Sequence, residues 1–187
     1  MGITTKKGDN GYSVKYSGER LSKSDPVFET LGVLDELSAC IGLVKAVMKA
    51  GEEHRKNEAF ITQLSEVQKH LIRIGEEVAT SRESPRFRRV SAIGERELRQ
   101  LEGYEESLQR MVRVPKGFVL PGDTLLAAWI DLARAVTRRL ERRYVAFWKA
   151  ASGQAEDSGS TVSAYLNRLS DYLFLLARSF ERYAVKR

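Results

Sequence analysis

Apolar residues recur at intervals of three and four along most of this chain, and nowhere do they alternate one-in-two over a useful length. Val27, Leu31, Leu34, Leu37, Ile41 and Val44 form one stripe. Ile61, Leu64, Val67, Leu71, Ile74 and Val78 form a second, and Leu166, Leu169, Leu173 and Leu176 another. That spacing lines one face of an α-helix but scatters over both faces of a strand, so the chain folds by packing amphipathic helices stripe to stripe. Asp25 suits an N-cap and Pro26 the first helical position, which predicts a helix over 26–50 that stops at Gly51. A second helix is predicted over 58–80, and a third, more polar one over 93–112. A fourth spans 124–151 behind Asp123, a candidate N-cap, with Trp129, Leu132, Val136, Leu140 and Phe147 turned to the core. A fifth covers 161–184. Pro85 and its charged neighbours make 81–89 a loop. Pro115, Gly117, Pro121 and Gly122 break 114–124, and 152–160 is a Gly/Ser loop. Residues 1–23 read as an ordered loop or arm. The expected fold is all-α: a five-helix bundle, ferritin-like in its up-down four-helix core, with one more exposed helix.

The 187 residues suffice for one domain with a full core and not comfortably for two, so 1–187 reads as a single unit, an arm over 1–23 and a bundle over 24–187. Hydrophobic residues at 42% and charged residues at 30% fit a globular chain. No apolar run reaches the roughly 18 residues that cross a bilayer. The first residues lack the apolar stretch of a signal peptide. Cys40 is the single cysteine, which rules out an internal disulfide and a cysteine zinc site and favours a reducing cytoplasm. His54 and His70 have no metal-ligand spacing and read as surface or structural residues. The net charge of +6 admits nucleic acid, an anionic membrane or a small polyanion as partner, but no nucleic-acid motif is present.

Three segments carry candidate chemistry. On the fourth helix stand Arg134, Arg138, Arg139, Glu141, Arg142 and Arg143. At 100° per residue, Arg134, Arg138 and Glu141 share a wedge of about 60°. Two readings fit: a solvated face steadied by Glu141 three residues after Arg138, or a seat for an anion. Arginine rather than lysine at every position suits bidentate recognition of phosphate. The arm holds Thr5, Lys6, Lys7, Gly8, Asp9, Asn10, Gly11, Tyr12 and Ser13. It is either a mobile basic tail or a strap whose amides and lysines follow a phosphate chain, and it is not a Walker A loop. On the fifth helix Asn167 and Asp171 lie one turn apart with Arg178 near them in angle, either a surface polar pair or a contact for a base or sugar.

Together these segments resemble the trimeric ATP:cob(I)alamin adenosyltransferases. The likeness runs through TKKGDNG at 5–11, KSD at 23–25, VFETLGVLDEL at 27–37, FVLPG at 118–122, the arginine run at 133–143 and YLNRLSDYLF at 165–174. The resemblance implies a homotrimer with active sites between subunits. It implies that Thr5, Lys6, Lys7, Gly8, Ser13, Val14 and Lys23 wrap the triphosphate of ATP, and that Arg138, Arg139, Glu141, Arg142 and Asn167 hold ATP from the helices. Arg134 is then expected to pair with Asp35 of a neighbouring subunit, and Phe118 to stand beside the corrin and help displace the lower cobalt ligand. Mg²⁺ rides on the phosphates, and cobalamin is the substrate. A flavoprotein reductase and an adenosylcobalamin-dependent enzyme are implied partners; nucleic acid and membrane are not.

The chain departs from the family pattern at three places. Asp123 stands where a second glycine is usual, and Asp131 where a histidine is common, so both add negative charge near the expected site. The chain ends at Arg187, where the family commonly continues with a tail over the corrin. Two rival functions follow from the same residues: a non-catalytic ATP-binding trimer that delivers or senses cobalamin, and a basic helical adaptor for RNA or an acidic protein.

Overall fold

Five helices form where the apolar periodicity places them. In the computed structural model, which describes residues 4, 6, 8–51, 55–113, 117–152 and 161–181, they are α1 Pro26–Ala50, α2 Glu58–Val78, α3 Glu95–Met111, α4 Leu125–Ser152 and α5 Thr161–Ser179. The fifth helix stops at Ser179, short of the expected 184, with Phe180 in a turn; His54 and residues 182–184 lie outside the described residues. Asp25 caps α1 as expected: its Oδ1 accepts from the Val27 amide at 2.9 Å, ahead of Pro26. The cap of α4 is Thr124 and not Asp123. Thr124 Oγ1 accepts from the Ala127 amide at 3.1 Å, and it donates to the Phe180 carbonyl at 3.1 Å, which ties the start of α4 to the end of α5. Helix α3 begins two residues later than 93, because the Glu97 carboxylate takes the Gly94 amide at 3.0 Å and sets the first turn there.

Two short elements escaped the periodicity. Strands β1 Tyr12–Val14 and β2 Arg20–Ser22 pair antiparallel within the arm, with Ser13 opposite Leu21. Three residues are too few for an alternating pattern to register. Pro85–Arg89 is a 3-10 turn, started by Ser84 Oγ accepting from the Arg86 amide.

Side-chain pairings fix the helix directions. Glu29–Arg143 and Glu36–Arg139 make α1 antiparallel to α4. Asn167–Glu141 and Arg178–Asp131 make α4 antiparallel to α5. Gln63–Tyr172 and His70–Tyr165 set α2 against α5. Glu102–Arg168 and Tyr104–Tyr172 run α3 in the sense of α5. The helices therefore alternate in sense along the chain, with α1, α2, α4 and α5 around one core. Leu37, Ile41, Leu71, Ile74, Leu140, Leu166 and Leu173 in it are fully buried. Helix α3 packs on α5 and contributes only Leu101 and Leu108 to the buried set, as its polar sequence requires. Leu132 corrects the expected stripe of α4: it is exposed, while Ile130, Ala133 and Tyr144 are buried.

His70 is structural. Its Nδ1 lies 2.9 Å from Tyr165 Oη, and burial pushes its pKa below the ordinary value, so the ring is neutral at pH 7. Beside it Arg73 joins α2 to α3, donating from Nη1 to Glu97 at 2.8 Å and from Nε to the Ser91 carbonyl at 2.7 Å. The Arg73 hydrogen bond, helped by the Gly94 amide, lowers the Glu97 carboxyl from 4.5 to about 2. A depressed carboxylate pKa contributes stability that is fully present above the unfolded value and is lost as pH falls through the folded one. Glu97→Gln is therefore less stable than the parent at neutral pH, and the two converge as pH drops from 4.5 towards 2. Denaturant unfolding at a series of pH values checks this; a constant gap between the two proteins refutes it.

Candidate active site

Helix α4 has α1 on one side and α5 on the other, so only a narrow strip of it faces outward. That strip is cationic. On its α1 edge Arg139 pairs with Glu36, and Arg143 Nε lies 3.2 Å from Glu29. On its α5 edge Glu141 accepts from Asn167 Nδ2 at 3.3 Å. Between them Arg138 and Arg142 are exposed, and Arg142 Nη1 donates to the Arg138 carbonyl at 3.0 Å. Among the described residues, neither has a carboxylate within ion-pair distance. The i,i+3 pairing of Glu141 with Arg138 expected for a solvated face is replaced by the Asn167 contact. Asn167 and the arginine strip are thus brought together, whereas Asp171 is taken by Arg168 at 2.8 Å. Arg178 does not join them. It turns into the bundle, pairs with Asp131 and reaches Glu181 at 2.9 Å.

The residues that follow the arm meet Arg143 at the base of this strip. A pocket of about 240 Å³ is lined by Ser24, Pro26, Glu29, Arg143 and Ala146. Further out, Lys23 lies over Gly8: a Cβ there would come within 3.1 Å of the Lys23 ammonium, a tight contact with the mobile end of a long side chain. Lys6 has a left-handed backbone, φ 56°. Ser13 is half-buried in the hairpin and Val14 is exposed. The hairpin is anchored on the α2 end of the bundle, where Lys15 donates to Ser81 at 2.5 Å and Arg86 to the Tyr16 carbonyl. Thr5 and Lys7 lie outside the described residues.

Arg134 and Asp35 have no contact with each other in one chain. Asp35 is exposed on α1, and Arg134 Nε lies 3.5 Å from Asp131. At the far end of α4 the loop before Leu125 presents its apolar side chains to solvent. Phe118 is 109% exposed and Leu120 89%, after Gly117 at φ 108°, a backbone that disfavours any larger residue. Phe118 is therefore not a packing residue of its own chain. Sequence reasoning missed Glu29 and Glu36 as partners of the arginine strip. Their spacing on α1 matches Arg143 and Arg139 only once the antiparallel register of α1 and α4 is known. Among the described residues no cluster of three His, Cys, Asp or Glu side chains exists to hold a metal.

Exposed arginines on α4 and an arm bearing lysines and glycines thus stand on one up-down bundle. Residues 3–180 match the cobalamin adenosyltransferase family. The chain belongs to it. Corrinoid adenosyltransferase MMAB of Bos taurus is 35% identical over 178 residues, covering 94% of this chain and 70% of the relative. The corrinoid adenosyltransferase of Bacillus subtilis is 33% identical, covering 95% and 86%. Among solved structures, a phenylalanine-to-histidine variant of the PduO-type ATP:corrinoid adenosyltransferase of Lactobacillus reuteri, complexed with cobalamin and ATP, superposes with a TM-score of 0.80 at 31% identity, covering 95% of this chain and 89% of that one. An arginine-to-lysine variant of the same enzyme complexed with ATP gives 0.79 at 30%, covering 95% and 93%.

The exposure of Phe118 makes a plain expectation for this family member. Phe118→Ala leaves stability within about 0.5 kcal/mol of the parent, whereas Leu140→Ala costs about 2–5 kcal/mol. Thermal or denaturant unfolding of the two variants tests the contrast, and a large loss for Phe118→Ala contradicts it.

Proposed function

We propose that this chain transfers the 5′-deoxyadenosyl group of ATP to cob(I)alamin, giving adenosylcobalamin and triphosphate. The observation that carries the reading is the outward strip of α4, where Arg138 and Arg142 stand free of carboxylates between flanks held by Glu36, Glu29 and Asn167. Cationic side chains that no carboxylate answers among the described residues fit the phosphates of a nucleotide. The likeness to corrinoid adenosyltransferases over nearly the full chain supplies the second substrate.

The reaction needs no side-chain nucleophile. Cobalt(I) is itself the nucleophile: its electron pair forms the Co–C bond at the 5′ carbon, and the C–O bond to the triphosphate breaks, with the triphosphate leaving as the anion. The residues then have two tasks, to align the carbon with cobalt and to neutralise the departing charge. Arg138, Arg139 and Arg142, with Lys6, Gly8, Ser13, Val14 and Lys23 of the arm and with Thr5 and Lys7, take the second. Asn167 and Glu141 orient the nucleoside end. Phe118 and its apolar loop form a wall against the corrin that keeps water and the lower ligand from cobalt, which eases reduction of Co(II). Mg²⁺ fits as a passenger of the phosphates, since it keeps several waters and asks for few carboxylates, and Glu141 is the one acid on the strip. It supplies further charge neutralisation.

We read the whole of 1–187 as one domain and its working form as a homotrimer, in which Asp35 of one copy meets Arg134 of the next. The exposed Leu43, Leu125 and Leu132 leave further apolar surface along α1 and α4 for a second copy to cover. A flavoprotein is the fitting source of the electron for Co(II), and an adenosylcobalamin-dependent enzyme the fitting recipient of product. A cytoplasmic, reducing setting accords with the lone Cys40. No helix among the described residues is long and apolar enough to cross a membrane.

Incubation with ATP and chemically reduced cobalamin, followed by the adenosylcobalamin spectrum, tests the activity; ATP binding without product leaves only the binding half of the reading. Two variants separate the tasks. Arg138→Ala removes a charge-assisted contact worth about 1.5–3 kcal/mol and raises KM for ATP roughly tenfold or more. Phe118→Ala keeps ATP affinity but loses the four-coordinate cob(II)alamin spectrum in the presence of ATP. Unchanged kinetics in the first, or full retention of that spectrum and turnover in the second, removes the assignment. Sedimentation shows a trimer, and a stable, active monomer overturns the shared site.

A further inference from the structure

Asp131 faces two arginines at once. Its Oδ2 receives Arg178 Nη2, and both side chains are buried, at 5% and 1% exposure. Its Oδ1 points the other way, 3.5 Å from Arg134 Nε. Oδ1 and that Nε are both shut off from solvent, and neither has a hydrogen-bond partner of good geometry. A desolvated donor and a desolvated acceptor face each other across one turn of α4. The rest of the Arg134 side chain is 31% exposed, so its guanidinium end reaches the surface while its inner nitrogen is held below.

Charge balance says why Asp131 is more than a counter-ion for Arg178. Arg178 already has a carboxylate in Glu181, at 2.9 Å. A second buried acid leaves the cluster with net negative charge unless another cation completes it, and Arg134 is the cation in place. Within ion-pair distance, Asp131 and Glu181 face Arg178 and Arg134, so neither acid is left without a cation.

We propose that Asp131 is the positioning residue of Arg134: it pins the inner edge of the guanidinium so that the outer edge is presented, pre-oriented, to Asp35 of a second copy. The proposal rests on the trimeric reading of Arg134 given above. It assigns a use to the outer oxygen of Asp131, which Arg178 leaves free.

The test is a double-mutant cycle on the full chain, read both in kcat and in the subunit dissociation constant from sedimentation. The second readout does not need turnover. Asp131→Asn removes the charge and leaves Arg178 with Glu181 as its carboxylate partner. Asp131→Leu with Arg178→Met, made together with Glu181→Gln, removes the buried pair and the acid that Arg178 holds, so that none of the three charges is stranded. Both changes lower kcat about tenfold and weaken subunit association about tenfold, with KM for ATP within about twofold of the parent; in an Arg134→Ala background the same changes cost less than about twofold. If the triple variant restores what Asp131→Asn loses, Asp131 serves Arg178 alone and the proposal falls. It also falls if the cost is equal in both backgrounds, if neither change has an effect, or if the parent is a monomer. A parent that assembles but forms no adenosylcobalamin refutes the transfer reaction, while the dissociation cycle still decides the role of Asp131.

Discussion

Everything distinctive about this chain follows from the burial of α4 between two neighbours. Its inner positions, Ala127, Ile130, Ala133, Leu140 and Tyr144, have no solvent contact, and α1 and α5 close on it from either side. A helix so confined has little surface left, and four of its arginines share that little. Two like charges 4 Å apart repel by about 1 kcal/mol in bulk water and by about 4 kcal/mol at the effective dielectric of a protein surface. The fold relieves the two on the α1 edge with Glu36 and Glu29. It leaves the middle of the strip unrelieved. The excess positive potential is thereby concentrated at Arg138 and Arg142, held on a rigid element, and available to a polyanion without reorganisation.

The buried charges answer a different question, how an acid on the same helix avoids cancelling that potential. From sequence, Asp123 and Asp131 look like negative charges added to an anion site. In the fold Asp131 is spent inward, on Arg178 and Arg134, and presents no free carboxylate to the strip. Burial raises the Glu181 carboxyl against the opposing pull of Arg178, and Asp131 and then Asp123 add to the rise. Both departures belong to one cluster at the α4–α5 crossing, a turn or more from Arg138.

The helices were legible because each has to bury a stripe, and a stripe of three-and-four spacing has one structural meaning. Asp25 before Pro26 marked the start of α1 to the residue, since cap and first position are both local chemistry. Thr124 was hidden for the opposite reason: Asp123 and Thr124 cap equally well on paper, and the bond from Thr124 to Phe180 that chooses between them joins residues far apart in sequence. Leu132 shows the limit of a helical wheel, which cannot say how wide the buried arc is until the neighbours are known. The site residues were legible as chemical types and as a family pattern. Their pairings were not, because Glu29, Glu36 and Asn167 reach the strip through the antiparallel register of three helices.

Along its axis α4 changes character, and the change matches the two substrates. Its first turns and the loop before them carry Phe118, Leu120, Leu125 and Leu132 into solvent, apolar surface whose exposure is unfavourable by about 25 cal/mol per Å². From Leu125 to Arg138 the helix rises about 20 Å, and there Arg138 and Arg142 dominate the exposed surface. A flat, largely apolar macrocycle and a triphosphate could not share one seat, since each would desolvate the groups that hold the other. In the proposed function the two seats are stations of one helix and ATP spans the interval, phosphates on the arginines and the 5′ carbon towards the apolar end. The interval between stations is where Arg134 stands. In the proposed trimer, a neighbouring copy that engages Arg134 there lies against both seats at once, so that assembly and the alignment of carbon with cobalt become the same event.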